Sequence, residues 1–206
     1  MNMKKFVFLF AVAALLTISA SSSAQRRAAR IEPSLTAGFI TLSPTYCRSN
    51  SSTNDNFLTL AAGIRQLIPI QATTSLNFAY GADLEWMMYT GKDSQSQNLV
   101  GIKVPFSFVY RYDLNDEISF FPYVGLHVSG YLFGKAKSSL GTEVNVFDED
   151  QMWPFDPYKR FLLGAQVGAK ACYDNIFFGV GYERSLTALM SETVVGRINF
   201  AIGFAF

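Results

Sequence analysis

Eight separate stretches of this chain alternate large apolar side chains with small or polar ones. They are SLTAGFITL (34–42), FLTLAAGIRQL (57–67), LNFAYGADLEWMMY (76–89), GIKVPFSFVYRY (101–112), FFPYVGLHVSGYLF (120–133), FLLGAQVGAKACY (161–173), IFFGVGYERSL (176–186) and VVGRINFAIGFAF (194–206). A period of two marks a strand with two unlike faces. In the fourth stretch Ile102, Val104, Phe106, Phe108, Tyr110 and Tyr112 share one face, and Lys103, Pro105, Ser107, Val109 and Arg111 share the other. The third sets Leu76, Phe78, Tyr80, Leu84, Trp86 and Met88 against Asn77, Gly81, Asp83 and Glu85.

Alternation alone also fits a soluble sandwich, which turns its apolar face inward. Three features argue for the reverse. The polar face is rich in glycine and alanine, with Gly63, Gly81, Gly125, Gly164, Gly168, Gly179, Gly181 and Gly203 on it, as a tight interior requires. The stretches match the roughly 9–11 residues of a tilted membrane strand better than the roughly 5–6 of a common soluble one. The connections also alternate: 68–75, 113–119 and 174–175 are short, whereas 43–56, 90–100, 134–160 and 187–193 are mostly longer and polar. Short turns at one end and long loops at the other belong to outer-membrane barrels. An open sheet edge in hydrocarbon costs several kcal/mol per unpaired amide, so the sheet must close. The expected fold is all-β, an eight-stranded antiparallel up-and-down barrel. A ten-stranded barrel would need two further strands within 134–160.

The first 24 residues read as a cleaved secretory signal, leaving a single domain over 25–206. MNMKK is basic, FVFLFAVAALLTISA is apolar, and Ser22-Ser23-Ala24 supplies small residues for cleavage. Loss of Lys4 and Lys5 takes the basic count from 17 to 15, against 16 acidic residues. That balance gives no case for nucleic acid. No later run is apolar for the roughly 18 residues a membrane helix needs. The expected location is the outer membrane of a Gram-negative bacterium, with the carboxyl terminus periplasmic and the long loops extracellular.

Asp174-Asn175 suits a two-residue hairpin, because Asx residues tolerate positive φ. Pairing Tyr173 with Ile176 sets Lys170 opposite Gly179 and Gln166 opposite Glu183, which keeps the polar faces together.

The segment IKVPFSFVYRYDLNDEISFFPYVGLHVSGYLF resembles the central pattern of the PorT-like outer-membrane β-barrel proteins of Bacteroidetes: a strand with an aliphatic-proline pair, a short turn, then Pro-Tyr-Val-Gly. LLGAQVGAKACYDNIFFGVGYERSLTAL resembles the glycine-rich hairpin that follows and its Tyr-x-x-x-Leu-x-x-Leu exit. The likeness spans nearly all of 31–206. Where that family often carries an acid before the aliphatic-proline pair, this chain has Lys103. The resemblance implies the barrel fold and an envelope location, and it admits a role in protein export or surface attachment.

Strand parity turns Arg65, Asp83, Glu85, Lys103, Arg111, His127, Lys170, Glu183 and Arg197 inward. An eight-stranded barrel is filled by its own side chains or holds one small ligand, and charges inside it must be paired. Hairpin symmetry about residue 94 sets Glu85 against Lys103, symmetry about Asn115 sets Lys103 against His127, and symmetry about Met190 sets Glu183 against Arg197. The expected interior is thus two cross-strand sets, Glu85–Lys103–His127 and Glu183–Arg197, forming a structural plug. The competing role is a proton- or ligand-responsive gate built on His127, making the barrel a narrow channel or ligand carrier.

No catalytic, cofactor or metal residues are expected. His127 and Ser129 share a face, a His-x-Ser spacing that resembles the lipid A deacylase barrels. That face is the inner one, because Val124, Leu126, Val128 and Leu132 take the lipid side, so the serine cannot meet a lipid ester. The acidic run at 147–150, Phe-Asp-Glu-Asp, reads as a solvated loop rather than a calcium site. In VNVFDEDQMWPFDPYKR, Trp153, Phe155 and Tyr158 beside Pro154 and Pro157 form an aromatic patch. Two roles stay open for it: gripping an envelope protein or a glycan, or folding over the mouth and into the headgroup girdle. Cys47 in the first outer loop and Cys172 at the inner end of its strand lie too far apart to pair.

The closing stretch sends Ile198, Phe200, Ile202, Phe204 and Phe206 toward lipid, and Asn199, Ala201, Gly203 and Ala205 toward the lumen. It must pair with 34–42 to close the sheet. Ile202, Phe204 and Phe206 resemble the terminal-aromatic signal read by the outer-membrane assembly machinery, which makes that machinery and the membrane lipid the expected partners.

Overall fold

A computed structural model describes residues 35–48, 54–70, 75–90, 96–115, 117–137, 141–152, 156–190 and 193–205. The expected signal segment 1–24, Trp153, Phe155 and Phe206 lie outside the described residues. Eight long antiparallel strands carry the fold: β1 (Leu35–Arg48), β2 (Asn54–Pro69), β3 (Leu76–Thr90), β4 (Ser96–Tyr110), β6 (Ile118–Lys137), β8 (Phe161–Tyr173), β9 (Ile176–Ser185) and β10 (Val194–Ala205). Two short strands, β5 (Tyr112–Asp113) and β7 (Glu143–Asn145), add to β6, and α1 (Glu149–Met152) is a single turn.

The sheet closes on itself. Its order runs β4-β3-β2-β1-β10-β9-β8-β6, and β6 pairs β4 again. The seam joins the first and last strands, with Ala37 opposite Ala205, Ile40 opposite Ile202 and Leu42 opposite Phe200. The tight hairpin turns at Asp174, whose φ of 53° is the left-handed conformation a two-residue loop demands. Lys170 faces Gly179 and Gln166 faces Glu183 across it.

The outward face is a continuous apolar belt, including Ile40, Leu84, Trp86, Phe108, Val124, Val167, Phe178, Phe200 and Phe204, all exposed. Its edges can be read along β4. Trp86, Val100 and Phe133 lie opposite one another across β3, β4 and β6, and the next outward position toward the long-loop end is polar, Asn98 opposite Lys135. The Trp86 indole donates to Asn98 Oδ1 at 3.2 Å, as an interfacial tryptophan does, with its ring in the apolar layer and its N–H turned to the polar side. At the tight-turn end Tyr110, Tyr112 and Tyr173 are exposed. From Val100 to Tyr110 a strand rises about 33 Å at ~3.3 Å per residue, or roughly 25 Å along the axis at a tilt near 40°. That is the height of the apolar band of a membrane barrel.

Four expectations change. The strands run further at the long-loop end, so 43–56 and 90–100 shrink to the connections 49–53 and 91–95. Polar residues such as Asn56, Gln97 and Asn98 read as loop by composition, yet they continue the backbone ladder above the belt, opposite Tyr46, Tyr89 and Met88. Cys47 accordingly falls within β1, opposite Val195, whereas the free Cys172 lies beside the tight turn, opposite Phe177. Arg111 is not inward: it sits past the end of β4, exposed, with its Nε 2.8 Å from Asp113.

The fourth change concerns parity. Gly101 pairs with Tyr131 but Val100 pairs with Phe133, so Leu132 is an extra residue, a β-bulge. Below it the odd residues of β6 point in; above it Phe133 and Lys135 point out, and Leu132 is half-buried rather than a full member of the lipid face.

The interior is layered. At the long-loop end Phe57, Met87, Leu99, Tyr131, Val146, Leu162, Leu189 and Val195 form one apolar cluster, with Tyr158 packed against it. At the tight-turn end Ala37, Ala79, Val109, Phe121, Cys172, Phe177 and Ala205 form another. The charged side chains lie between.

Candidate functional site

The middle of the lumen is one ionic cluster rather than two sets. Lys103 on β4 stands at its centre, with Nζ 2.9 Å from Glu183, 3.2 Å from Glu85 and 3.4 Å from Asp83. Arg197 on β10 donates to Glu85 Oε1 at 2.5 Å and to the Tyr131 hydroxyl at 3.2 Å, and lies 3.8 Å from Glu183. Arg65 on β2 grips Asp83 with both terminal nitrogens. Three cations meet three carboxylates, so this cluster is neutral in charge. A buried carboxylate is tolerated only when it is paired and hydrogen-bonded, which explains why all three acids gather around the same three bases.

Hairpin symmetry gave the right pairing at one of three sites. Glu183 does lie opposite Arg197. Lys103 lies opposite Asp83 on β3 and Ser129 on β6, two residues off the symmetric registers. It still reaches Glu85 because a lysine side chain spans a diagonal neighbour. It does not meet His127, which lies opposite Pro105 and Gly164. The buried His127 Nδ1 and Ser129 Oγ have no hydrogen-bond partner. Asp83 and Arg65 belong fully to the cluster, and strand parity had already turned both inward. Tyr131 was missed, although it shares parity with His127 and Ser129.

Glycines make room for these side chains. A Cβ at Gly164 would land on the His127 imidazole, and one at Gly63 would land on the Asp83 carboxylate. At Gly168 it would come 2.6 Å from the Tyr123 hydroxyl. Gly63, Gly164 and Gly168 are therefore sockets, each receiving a bulky polar side chain.

Two cavities flank the Lys103–Glu183 pair. One of about 60 Å³, on the tight-turn side, is bordered by Arg65, Tyr123, Gln166, Lys170 and Asn199. The other, about 10 Å³, touches His127, Ser129, Glu183 and Arg197. A water needs ~10–15 Å³, so the first has room for a few waters and the second for about one. Lys170 caps the larger cavity with Nζ over the rings of Tyr123 and Phe177, at 5.6 and 5.7 Å. One apolar cluster lies above these cavities, and the other lines the tight-turn end of the larger one. Among them there is no grouping of His, Cys, Asp or Glu suited to a metal ion.

Tyr158 is committed to the mouth. It packs on the upper apolar cluster and donates to Gln97 Oε1 at 2.8 Å. Val146 in the same loop is fully buried.

No family model matches the sequence, and no curated protein matches it. Among solved structures the chain is similar to Ail, the attachment invasion locus protein of Yersinia pestis, at 14% identity and a TM-score of 0.53, covering 84% of this chain and 98% of that one. It is similar to the outer-membrane enzyme PagL at 14% identity and a TM-score of 0.51, covering 81% and 97%. Neisserial surface protein A aligns at 15% identity, a TM-score of 0.48 and coverage of 84% and 97%. The likeness to Ail and PagL identifies the fold as the small outer-membrane type of barrel.

Proposed function

We propose that this chain is a small non-enzymatic barrel of the outer membrane whose lumen is a structural plug and whose role is exercised from its long-loop end, as a structural or partner-binding element of the envelope. The observation that carries this reading is the layered interior: a neutral cluster of three carboxylates and three cations lying between two apolar clusters. In this reading residues 1–24 are the export signal, the long loops face outward, the carboxyl terminus is periplasmic, and the closing strand engages the assembly machinery. Trp153 and Phe155 are the part of the aromatic patch assigned to a partner, since Tyr158 is spent on the mouth.

Bilayer recordings test the plug. Purified protein should give no steady unitary current, and Lys103→Ala should not create a selective one. A steady selective current in the wild type, lost on that substitution, overturns the plug in favour of a channel.

The fold is shared with an enzyme, which makes a lipid-modifying activity the reading to exclude. A serine nucleophile needs a base within hydrogen-bond reach. Here neither His127 Nδ1 nor Ser129 Oγ has any partner, and both residues are inside the barrel. Incubation with lipid A should release no acyl chain. The PorT-like resemblance supports an export or attachment role, tested by co-purification of neighbouring envelope proteins with wild-type protein but not with one lacking 141–157.

A further inference from the structure

The barrel wall is notched where β8 begins. Phe161, its first residue, pairs with Gly130, and β7 takes over as the neighbour of β6 only from Lys135 upward. Between them, among the described residues, the same edge of β6 has two backbone bonds, Tyr131 N to Arg160 O at 2.7 Å and Val146 N to Gly134 O at 3.3 Å. The bulge at Leu132 falls in this interval. The result is a depression of about 330 Å³ bordered by Phe133, Lys135, Glu143, Phe147, Gln151 and Arg160.

Its chemistry is split by depth. Phe133 belongs to the top rung of the apolar belt and is 60% exposed. Lys135 stands on the first polar rung above, level with Asn98. Arg160 lies with its guanidinium 4.4 Å from the centre of the Phe147 ring and gives one hydrogen bond, from Nη1 to Leu132 O at 3.3 Å. An arginine carries five N–H donors in a planar fork suited to phosphate. Among the described residues Arg160 meets no carboxylate. Glu143, the carboxylate bordering the notch, is 3.3 Å from Lys135. The neighbouring Asp148 accepts from the backbone N–H groups of Asp150 and Gln151 and from the Gln151 side chain.

We propose that this notch binds the net-anionic, phosphate-bearing headgroup of a lipid in the leaflet at the long-loop end, with Arg160 as its main anchor, Lys135 as a second cation, and Phe133 against its acyl chains. A basic pocket at the polar edge of an apolar belt is the arrangement that recognises anionic lipid headgroups. A volume of this size is at the lower end of ligand sites and exceeds a bare phosphate. The inference rests on the membrane-barrel reading above.

Native mass spectrometry of the full-length barrel in a neutral detergent, with phosphatidylglycerol or phosphatidylcholine added, tests it. Wild-type protein should retain phosphatidylglycerol about tenfold better, because phosphatidylcholine carries a quaternary ammonium beside its phosphate that Arg160 and Lys135 repel, whereas phosphatidylglycerol presents a net negative headgroup. Arg160→Gln should bring the two lipids to within about twofold, Arg160→Lys should fall between because a point charge replaces the fork, and Lys135→Gln should lose part of the preference. Equal retention of both lipids by the wild type, or an unchanged preference in Arg160→Gln, overturns the proposal. Displacement of the lipid by millimolar inorganic phosphate also overturns it, by showing an anion site indifferent to the acyl chains. Heat-modifiable mobility of each variant separates this from failure of the barrel itself: a chain that never inserts into detergent or bilayer refutes the membrane reading instead.

Discussion

Lys103 and Glu183 lie 80 residues apart in the chain, on β4 and β9, and their charges meet at 2.9 Å across the lumen. The bond ties opposite walls of the barrel together, and it sits at the one level where all three inward carboxylates converge. Lys103→Met leaves Asp83, Glu85 and Glu183 facing only Arg65 and Arg197. Removing one partner of a buried ion pair costs about 3–5 kcal/mol because the other charge is stranded. Adding Glu183→Gln restores two cations against two carboxylates, so the double variant should be more stable than Lys103→Met alone. Denaturant unfolding in micelles, read by heat-modifiable mobility, checks the order; a double variant no better than the single one denies the coupling.

The socket at Gly164 makes a second prediction. Gly164→Ala pushes a methyl group into the His127 imidazole, and overpacking of this kind costs about 1–3 kcal/mol. His127→Ala removes the nearer obstacle and leaves the Arg184 carbonyl oxygen, 2.9 Å from the new methyl group. The two changes made together should cost less than the sum of their separate effects, a non-additivity expected for residues in contact. Additive costs in the same unfolding assay would show that the imidazole does not occupy this socket.

Below the belt, Asp113 is held by Ser119 and by Arg111. Partial burial works against its charge, but the hydrogen bonds from Ser119 and Arg111 prevail and lower its pKa from the ordinary 3.8. A lowered carboxyl stabilises the fold above its unfolded pKa, and that contribution disappears as pH falls through the folded value. Asp113→Asn should therefore flatten the acid limb of stability below about pH 3.8 and leave neutral-pH mobility of the rest of the barrel intact. The group is half exposed, so the effect is small. Carboxyl NMR of Asp113 titrating at or above an ordinary aspartate would contradict it.

The architecture was legible because the membrane writes on every second residue. In β4 the run from Ile102 to Tyr110 needs no tertiary information to assign its faces, and the same holds for the closing strand from Ile198 to Phe204. Side-chain parity also found the inward charges Asp83, Glu85, Lys103, Glu183 and Arg197. Register was harder. A two-residue turn such as Asp174-Asn175 fixes its hairpin, whereas the hairpins around 93 and 116 could slip by two residues without changing any face, and both did. The bulge at Leu132 left no mark either, since Tyr-Leu-Phe is apolar on both parities. Strand ends above the belt were invisible for a related reason: Asn98 and Gln97 answer to water, so only their backbone bonds make them strand. The notch at Arg160 arises where these unseen features coincide.

The closing strand carries the last prediction. Phe204 is 59% exposed on the belt and lies opposite Ile176, beside the tight turn, while Phe200 lies opposite Val180 and Leu42, further into the belt. An arginine in a barrel's lipid face costs about 2–4 kcal/mol near mid-depth and little near an edge. Phe200→Arg should thus destabilise refolded protein far more than Phe204→Arg. Assembly in cells should rank differently if the terminal aromatic residues are an address read by the assembly machinery. Phe204→Ala and deletion of Phe206 should then lower the folded fraction recovered from membranes severalfold, while both proteins refold normally from urea into micelles. Equal yields in cells would reduce Phe204 to a lipid contact, because the only property distinguishing it from Phe200 would be its depth in the belt.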